Sequence, residues 1–149
     1  MPETPKPTVA FFDFASCEGC QIEFTNYGDA AILELMNHID IVEFREAMTE
    51  TTSGHIDIAF VEGSFTREED RARLEEIRRR ARTVVAFGAC ACTGGINALK
   101  NHQDDFAECV YGDDARMPHL RSGTARPISA AIQVDHEVMG CPISKDELL

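Results

Sequence analysis

A chain of 149 residues with 44% hydrophobic content has the length and composition of one globular domain. No apolar stretch approaches the roughly 20 residues that cross a bilayer, and the start has no apolar signal region or twin-arginine pair, so we expect a cytoplasmic protein without a membrane span. The net charge is −12, and residues 1–65 hold twelve acids against two bases, which excludes a nucleic-acid surface there.

Short apolar runs alternate with helical patterns along the first half of the chain. We expect residues 1–7 to form a flexible leader and residues 8–149 to form a single domain. A helical pattern runs from about Gln21 to Asn37 and is interrupted near Gly28. Runs rich in β-branched and aromatic residues predict strands at Thr8–Phe14, Ile39–Phe44 and Ile56–Val61.

The second half of the chain continues this alternation as far as a long irregular stretch. Thr66 and Glu69 form a capping box, which predicts a helix that ends near Arg82. We further predict a buried strand at Thr83–Phe87, a turn at Gly88–Gly95, a helix from Ile96, an irregular stretch from about Asn101 to Pro127, a fifth strand at Ala130–Val134 and a second capping box at Ser144–Glu147. The pattern is typical of the α/β class, with a parallel sheet covered by helices on both faces.

Four of the six cysteines follow predicted strands. Cys17 and Cys20 follow the first strand, Cys90 follows the fourth, and Cys141 follows the fifth. Because the carboxyl ends of parallel strands share one edge of a sheet, where such folds bind ligands, we expect these thiols to meet there. Three disulfides are the weaker interpretation, since the cytoplasm keeps thiols reduced.

Four convergent thiolates favour a soft metal group, which is either an iron–sulfur cluster or zinc. Structural zinc usually takes two close cysteine pairs. Here only Cys17 and Cys20 are close, so iron–sulfur is favoured. Glycines beside the cysteines let backbone N–H groups approach a bulky cluster, and the helix after Cys20 is expected to direct its positive end there. A thioredoxin-like use of this pair would leave Cys90 and Cys141 without a role.

The remaining reactive side chains show weaker patterns. Cys92 differs from Cys90 only in register and could compete as a ligand, whereas Cys109 is expected to be structural. Glu18 and Glu23 could relay protons or tune a cluster, although solvated acids are commoner at such places. The sequence has no phosphate-binding glycine loop, no dinucleotide fingerprint and no nucleophile with a paired base. We therefore expect no substrate chemistry within this chain alone.

Three separated motifs together resemble a known family. They read Asp-Phe-Ala-Ser-Cys17-Glu-Gly-Cys20-Gln, Val-Val-Ala-Phe-Gly-Ala-Cys90-Ala-Cys-Thr-Gly-Gly95-Ile and Val-Asp135-His-Glu-Val-Met-Gly-Cys141-Pro-Ile. In order and content they resemble the small subunit of nickel–iron hydrogenases. That superfamily also contains the 20 kDa subunit of respiratory NADH:quinone oxidoreductase. The resemblance runs from Val9 to the last residue of the sequence.

The resemblance implies a flavodoxin-like sheet and one proximal 4Fe–4S cluster. The implied ligands are Cys17, Cys20, Cys90 and Cys141, and Cys92 falls on a position that is not a ligand. By the same resemblance, hydrogen is split at a nickel–iron centre in a separate large subunit, which faces the cluster-bearing edge of this chain. The electrons then pass to ferredoxin or to diaphorase-type flavin and iron–sulfur subunits that use NAD(P).

Two features of the motifs favour one branch of this superfamily. The Cys-x-x-Cys spacing differs from the quinone-reductase branch, which has adjacent cysteines at this place. A twin-arginine leader and cysteines for extra clusters, both typical of membrane-bound uptake hydrogenases, are absent, so the resemblance favours the short, cytoplasmic, multisubunit type. Two alternatives stay open, namely a quinone-reductase-like electron-transfer subunit without a hydrogenase partner and a zinc-stabilised scaffold without redox activity.

Overall fold

Five parallel strands form one sheet in the computed structural model, which describes residues 5–26, 29–120, 123–144 and 147. The strands are β1 (Thr8–Asp13), β2 (Asp40–Phe44), β3 (Ile56–Glu62), β4 (Ala81–Phe87) and β5 (His136–Val138), and their spatial order is β2-β1-β3-β4-β5. This order confirms the predicted flavodoxin-like sheet. Along the sheet, the order in which the strands follow one another reverses at β1. Folds of this kind have a crevice at that point, beyond the carboxyl ends of the strands.

Different helices cover the two faces of the sheet. Side chains of β1 alternate between the faces, so that Phe11 and Phe12 belong to two separate core clusters. Leu74 and Ile77 pack on the side of Phe12, and Phe24 packs on the side of Phe11. The α-helices are α1 (Gly19–Thr25), α2 (Asp29–Met36), α3 (Arg71–Arg80), α4 (Ala89–Thr93) and α5 (Phe106–Tyr111).

An aromatic cluster around Phe11 fixes α1 against the sheet. The ring centroid of Phe11 lies 4.8 Å from that of Phe24, 4.5 Å from that of Phe44 and 5.0 Å from that of Phe60. Aromatic pairs at these distances add to the free energy gained from burial. Because Phe24 belongs to α1, the same packing sets the position of the cysteine pair at the start of that helix.

An ion pair between Arg78 and Asp135 joins α3, β4 and the segment before β5. The Arg78 guanidinium donates to Asp135 Oδ2 (2.5 Å) and to the carbonyl oxygens of Ala81 (2.6 Å) and Arg82 (2.9 Å). The N–H of Val84 donates to the same carboxylate oxygen (2.7 Å). The hydrogen bond from Arg78, followed by that from Val84, lowers the pKa of Asp135 below its ordinary value.

The fifth strand was predicted at the wrong place. Ala130–Val134 is not a strand, because a 3₁₀ turn at Ile128–Ala130 extends into this segment. Ile132 of the segment packs into the core, as does Ile128 of the turn. The strand that pairs with β4 begins only at His136. It is a short edge strand with exposed polar side chains, so its sequence has no apolar run to reveal it.

The helix start predicted from the capping box of Thr66 and Glu69 is also wrong. Thr66 is buried and does not begin the helix, which instead follows a 3₁₀ turn at Glu68–Asp70 and starts at Arg71. The helix ends at Arg80, earlier than predicted, because β4 already begins at the next residue.

The chain after β4 is more helical than the sequence predicts. The predicted turn at Gly88–Gly95 contains α4, and the predicted helix from Ile96 is a 3₁₀ helix, Gly95–His102. The stretch predicted as irregular, Asn101–Pro127, contains α5 and short 3₁₀ turns. The helix predicted from the capping box at Ser144–Glu147 lies largely outside the described residues.

Within the described part of the chain, no helix is long and apolar enough to span a membrane. The division into a leader at residues 1–7 and one domain at residues 8–149 stays a prediction, and residues 1–4 lie outside the description.

Candidate metal centre

The loops at the carboxyl ends of three strands carry the four cysteines predicted as ligands. Cys17 lies in the loop after β1, and Cys20 lies in the first turn of α1. Cys90 belongs to α4, which follows β4, and Cys141 lies just beyond β5. The structure therefore places all four residues at the same rim of the sheet, which we call the cysteine rim.

The four thiols lie close enough for their charges to interact. The pKa of Cys20 is raised to about 12, mainly by burial and to a smaller extent by Glu62, Cys90 and Cys141. Burial also raises the pKa of Cys90, and the charges of Cys141 and Cys17 add to this effect. Burial and the neighbouring groups thus favour the neutral thiols of Cys20 and Cys90, and a bound metal ion would favour the thiolates instead.

Two glycines allow the backbone to lie directly against the sulfurs. A Cβ atom built on Gly88 would lie 2.4 Å from Sγ of Cys20, and one built on Gly95 would lie 2.7 Å from Sγ of Cys90. Both glycines have positive φ angles, 86° and 56°, which other residues rarely adopt. The sulfurs of Cys20 and Cys90 are thus packed on one side against backbone that has no side chain. This packing leaves room for a bulky inorganic group on the opposite side of each sulfur.

Backbone N–H groups donate to two of the sulfurs. The N–H of Ile143 hydrogen-bonds Cys20, and the N–H of Ile96 hydrogen-bonds Cys90. Each bond lowers the pKa of its thiol and so partly offsets the effect of burial. Hydrogen bonds of this kind stabilise thiolate ligands and set the potentials of iron–sulfur clusters.

A buried carboxylate at the end of β3 is the functional residue that sequence reasoning missed. Glu62 is 2% exposed, and its two oxygens accept the N–H groups of Cys20 and Gln21, each at 3.2 Å. Two N–H groups at the positive end of this helix thus have Glu62 as their acceptor, and the expectation that this end is directed at the sulfurs stays a prediction. An acid directly after an apolar strand, before Gly63, is the signal that could have indicated it.

The two other cysteines have different surroundings. The Cys92 thiol donates to the carbonyl oxygens of Ala86 (3.5 Å) and Val138 (3.7 Å), and burial raises its pKa to about 11. It is therefore a protonated core thiol. Cys109 is exposed and donates to the Asp105 carboxylate (3.4 Å), which raises its pKa.

The two acids near the cysteine pair were predicted as possible proton relays. Glu18 has a left-handed backbone (φ 60°), and its carboxyl shares a hydrogen bond with Glu46. Slight burial, this hydrogen bond and the nearby charges of Asp13 and Glu62 together raise the pKa of Glu18. Glu23 is half-buried. Proton relay by Glu18 or Glu23 stays a prediction.

The spacing of the thiols bears on the choice between zinc and a cluster. Among the residues that the structure describes, no three His, Cys, Asp or Glu side chains converge closely enough to bind a single metal ion. One zinc ion with four thiolates at about 2.3 Å needs sulfurs roughly 3.8 Å apart. A 4Fe–4S cluster places each thiolate on a different iron, so that its ligands stand further apart. The iron–sulfur interpretation and the zinc interpretation therefore differ in the spacing of the sulfurs that each requires.

Exposed apolar side chains surround the cysteine rim. Ile96 and Leu99 are 68% and 69% exposed, and Ile22 and Met139 are 47% and 45% exposed. Ile96 and Leu99 are three residues apart in the 3₁₀ helix, so they lie on one face of it. Apolar side chains of this size near a functional rim are typical of a surface that a partner covers.

The fold and the cysteine rim are those of an oxidoreductase subunit, as comparison with known proteins shows. The crystal structure of an NAD⁺-reducing NiFe hydrogenase in the H₂-reduced state contains a similar chain, with a TM-score of 0.78 and 28% identity over 93% of this chain and 84% of that one. By its sequence, the protein belongs to the family described as NADH ubiquinone oxidoreductase, 20 Kd subunit, whose model matches residues 17–149. The family resemblance inferred from the three motifs is confirmed.

Curated relatives are themselves named as hydrogenase subunits. One subunit of the F420-non-reducing hydrogenase of Methanothermobacter thermautotrophicus is 31% identical over 147 residues, covering 87% of this chain and 47% of the relative. The delta subunit of the NAD-reducing hydrogenase HoxS of Cupriavidus necator is 24% identical over 158 residues, covering 96% of this chain and 75% of the relative. The chain spans about half the length of most curated relatives that it matches.

Proposed function

We propose that this chain is the electron-transfer small subunit of a cytoplasmic nickel–iron hydrogenase and that Cys17, Cys20, Cys90 and Cys141 hold one proximal 4Fe–4S cluster. The observation that carries this proposal is the position of the four cysteines beyond the carboxyl ends of three strands, with the backbone of two glycines against the sulfurs of Cys20 and Cys90. The protein's kinship with hydrogenase small subunits supports it.

The cysteine rim has a protected side and an open side. Cys20 is buried and Cys90 is half-buried, whereas Cys17 and Cys141 are exposed. The first two thiols, with the glycine backbone beside them, would anchor the cluster and exclude water from one side. When bound, a cluster of this type would accept and release single electrons. The exposed thiols would lie on the side through which electrons enter or leave.

The proposed partner on the open side is a large subunit that contains the nickel–iron centre. The exposed apolar residues around the rim, Ile22, Ile96, Leu99 and Met139, supply a surface for this contact. Onward transfer would go to diaphorase-type flavin and iron–sulfur subunits or to ferredoxin. The similarity to an NAD⁺-reducing hydrogenase supports the first of these routes.

Cysteine variants test the proposal. The protein is purified anaerobically with the chains that accompany it and is then reduced with dithionite for electron paramagnetic resonance. Cys17→Ala and Cys141→Ala should each abolish the signal of a reduced cluster. Cys92→Ala is the matched control and should keep the signal, because that thiol only donates to backbone carbonyls. A signal that survives Cys141→Ala but disappears in Cys92→Ala would refute the assignment.

A further inference from the structure

A closed set of hydrogen bonds links loops at the cysteine rim. The side-chain amide of Asn97 donates to the carbonyl oxygen of Ala15 (2.7 Å) and to the hydroxyl oxygen of Ser64 (2.9 Å). The Ser64 hydroxyl donates to the same carbonyl oxygen (3.2 Å), as does the Ser64 N–H (2.9 Å). Because Ser64 is fully buried, these bonds replace those that its polar groups would make with water. We call this set the Asn97 triangle.

Each corner of the Asn97 triangle lies beside a part of the candidate metal centre. Ala15 precedes Cys17 by two residues in the loop after β1. Ser64 follows Glu62 by two residues, and Glu62 is the carboxylate that accepts the first N–H groups of α1. Asn97 belongs to the 3₁₀ helix that follows α4. The triangle therefore joins the loops after β1, β3 and β4.

The peptide next to Asn97 contacts one of the sulfurs. The N–H of Ile96 donates to Cys90, so fixing Asn97 also fixes the direction of this donor. An N–H group that donates to a sulfur ligand stabilises the more negative, reduced state of a cluster and thereby raises its reduction potential. Loss of the Asn97 amide should loosen this donor and lower the potential.

We propose that Asn97 is a positioning residue of the cysteine rim, which holds the loop of Cys17 against the peptide that donates to Cys90. In the hydrogen bonds observed, Asn97 contacts the sulfur of neither Cys17 nor Cys90. It acts through the backbone of the loop that carries Cys17 and through the peptide of Ile96. The inference rests on the proposed function, because a reduction potential exists only if a cluster is bound.

The test is a redox titration of Asn97→Ala followed by electron paramagnetic resonance, in the anaerobic protein with its accompanying chains. We expect iron to be retained and the equilibrium constant for reduction to fall by up to about tenfold, which is about 59 mV for a one-electron couple. Ser64→Ala removes the hydrogen bonds of the Ser64 hydroxyl and leaves the bond between Asn97 and Ala15. It should shift the potential in the same direction by a smaller amount.

Asn101 provides a matched control on the same 3₁₀ helix. Its amide also makes two hydrogen bonds, one to the carbonyl oxygen and one from the N–H of Ala125, both at 2.8 Å. Neither bond reaches the loop of Cys17 or the peptide of Ile96. Asn101→Ala should therefore lower stability to a similar extent and leave the potential at the wild-type value.

The outcomes distinguish a specific effect of Asn97 on the cysteine rim from a general loss of stability. An unchanged potential in Asn97→Ala, or an equal shift in Asn101→Ala, would overturn the inference. Loss of the cluster in Asn97→Ala alone would support it. If Asn97→Ala does not fold, Ser64→Ala decides, since a lowered potential supports the inference and an unchanged one overturns it. A wild-type protein without iron and acid-labile sulfide would instead refute the proposed function itself.

Discussion

Replacing Gly88 by alanine tests how closely the backbone packs against the sulfurs. Gly88 has φ 86° and ψ 165°, a conformation that essentially only glycine adopts, so any side chain there costs about 1–3 kcal/mol. The new methyl group would also lie 2.4 Å from the sulfur of Cys20, which is buried. Overpacking of this kind costs about 1–3 kcal/mol more. The free energy of unfolding should therefore fall by about 2–6 kcal/mol.

Gly112 offers a matched control for the backbone part of this cost. It has φ 57° and ψ −129°, and no heavy atom lies within 4 Å of a Cβ atom built there. Gly112→Ala should therefore cost only the backbone strain of about 1–3 kcal/mol. The excess cost in Gly88→Ala measures the contact with Cys20.

The assay is anaerobic urea unfolding of both variants, combined with iron and acid-labile sulfide analysis of the folded proteins. Gly88→Ala should lose iron because the methyl group displaces a proposed ligand, whereas Gly112→Ala should keep it. Equal destabilisation of the two variants, with full iron in both, would refute the packing argument.

Two further substitutions test the charged groups. Glu62→Gln should lower the free energy of unfolding by about 1–3 kcal/mol in a urea titration, because one buried N–H at the start of α1 loses its acceptor; an unchanged midpoint would contradict this role. Asp135→Asn should lower stability at neutral pH by about 1 kcal/mol, since the Arg78 pair is partly exposed. Because folding lowers the pKa of Asp135, its contribution is present above the unfolded value of about 3.9 and is lost as the pH falls through the folded value. A difference between wild type and variant that persists at the lowest pH would show that the ion pair is not its cause.

The central strands and the cysteine rim could be predicted because their signals are local. β1, β3 and β4 are buried, and each appears in the sequence as a nearly continuous apolar run. Once these strands are parallel, the residues directly after them must share one rim. The positions of Cys17, Cys20 and Cys90 at this rim follow from that rule, without knowledge of any distant contact.

The features that sequence reasoning missed depend on partners far along the chain. Glu62 can be buried because the N–H groups of a helix that begins more than forty residues earlier satisfy it. Asn97 is bonded to Ala15, a separation of 82 residues. The true β5 is a short polar edge strand that exists because β4 provides hydrogen bonds. None of these residues has a pattern of neighbours that reveals its partner.

The most direct test of the account is the metal and sulfide content of the anaerobically purified wild-type protein. If the four thiols at the rim hold one 4Fe–4S cluster, this chain should contribute about four iron and four acid-labile sulfide and contain no zinc. One zinc ion per chain, with no acid-labile sulfide, would contradict the account.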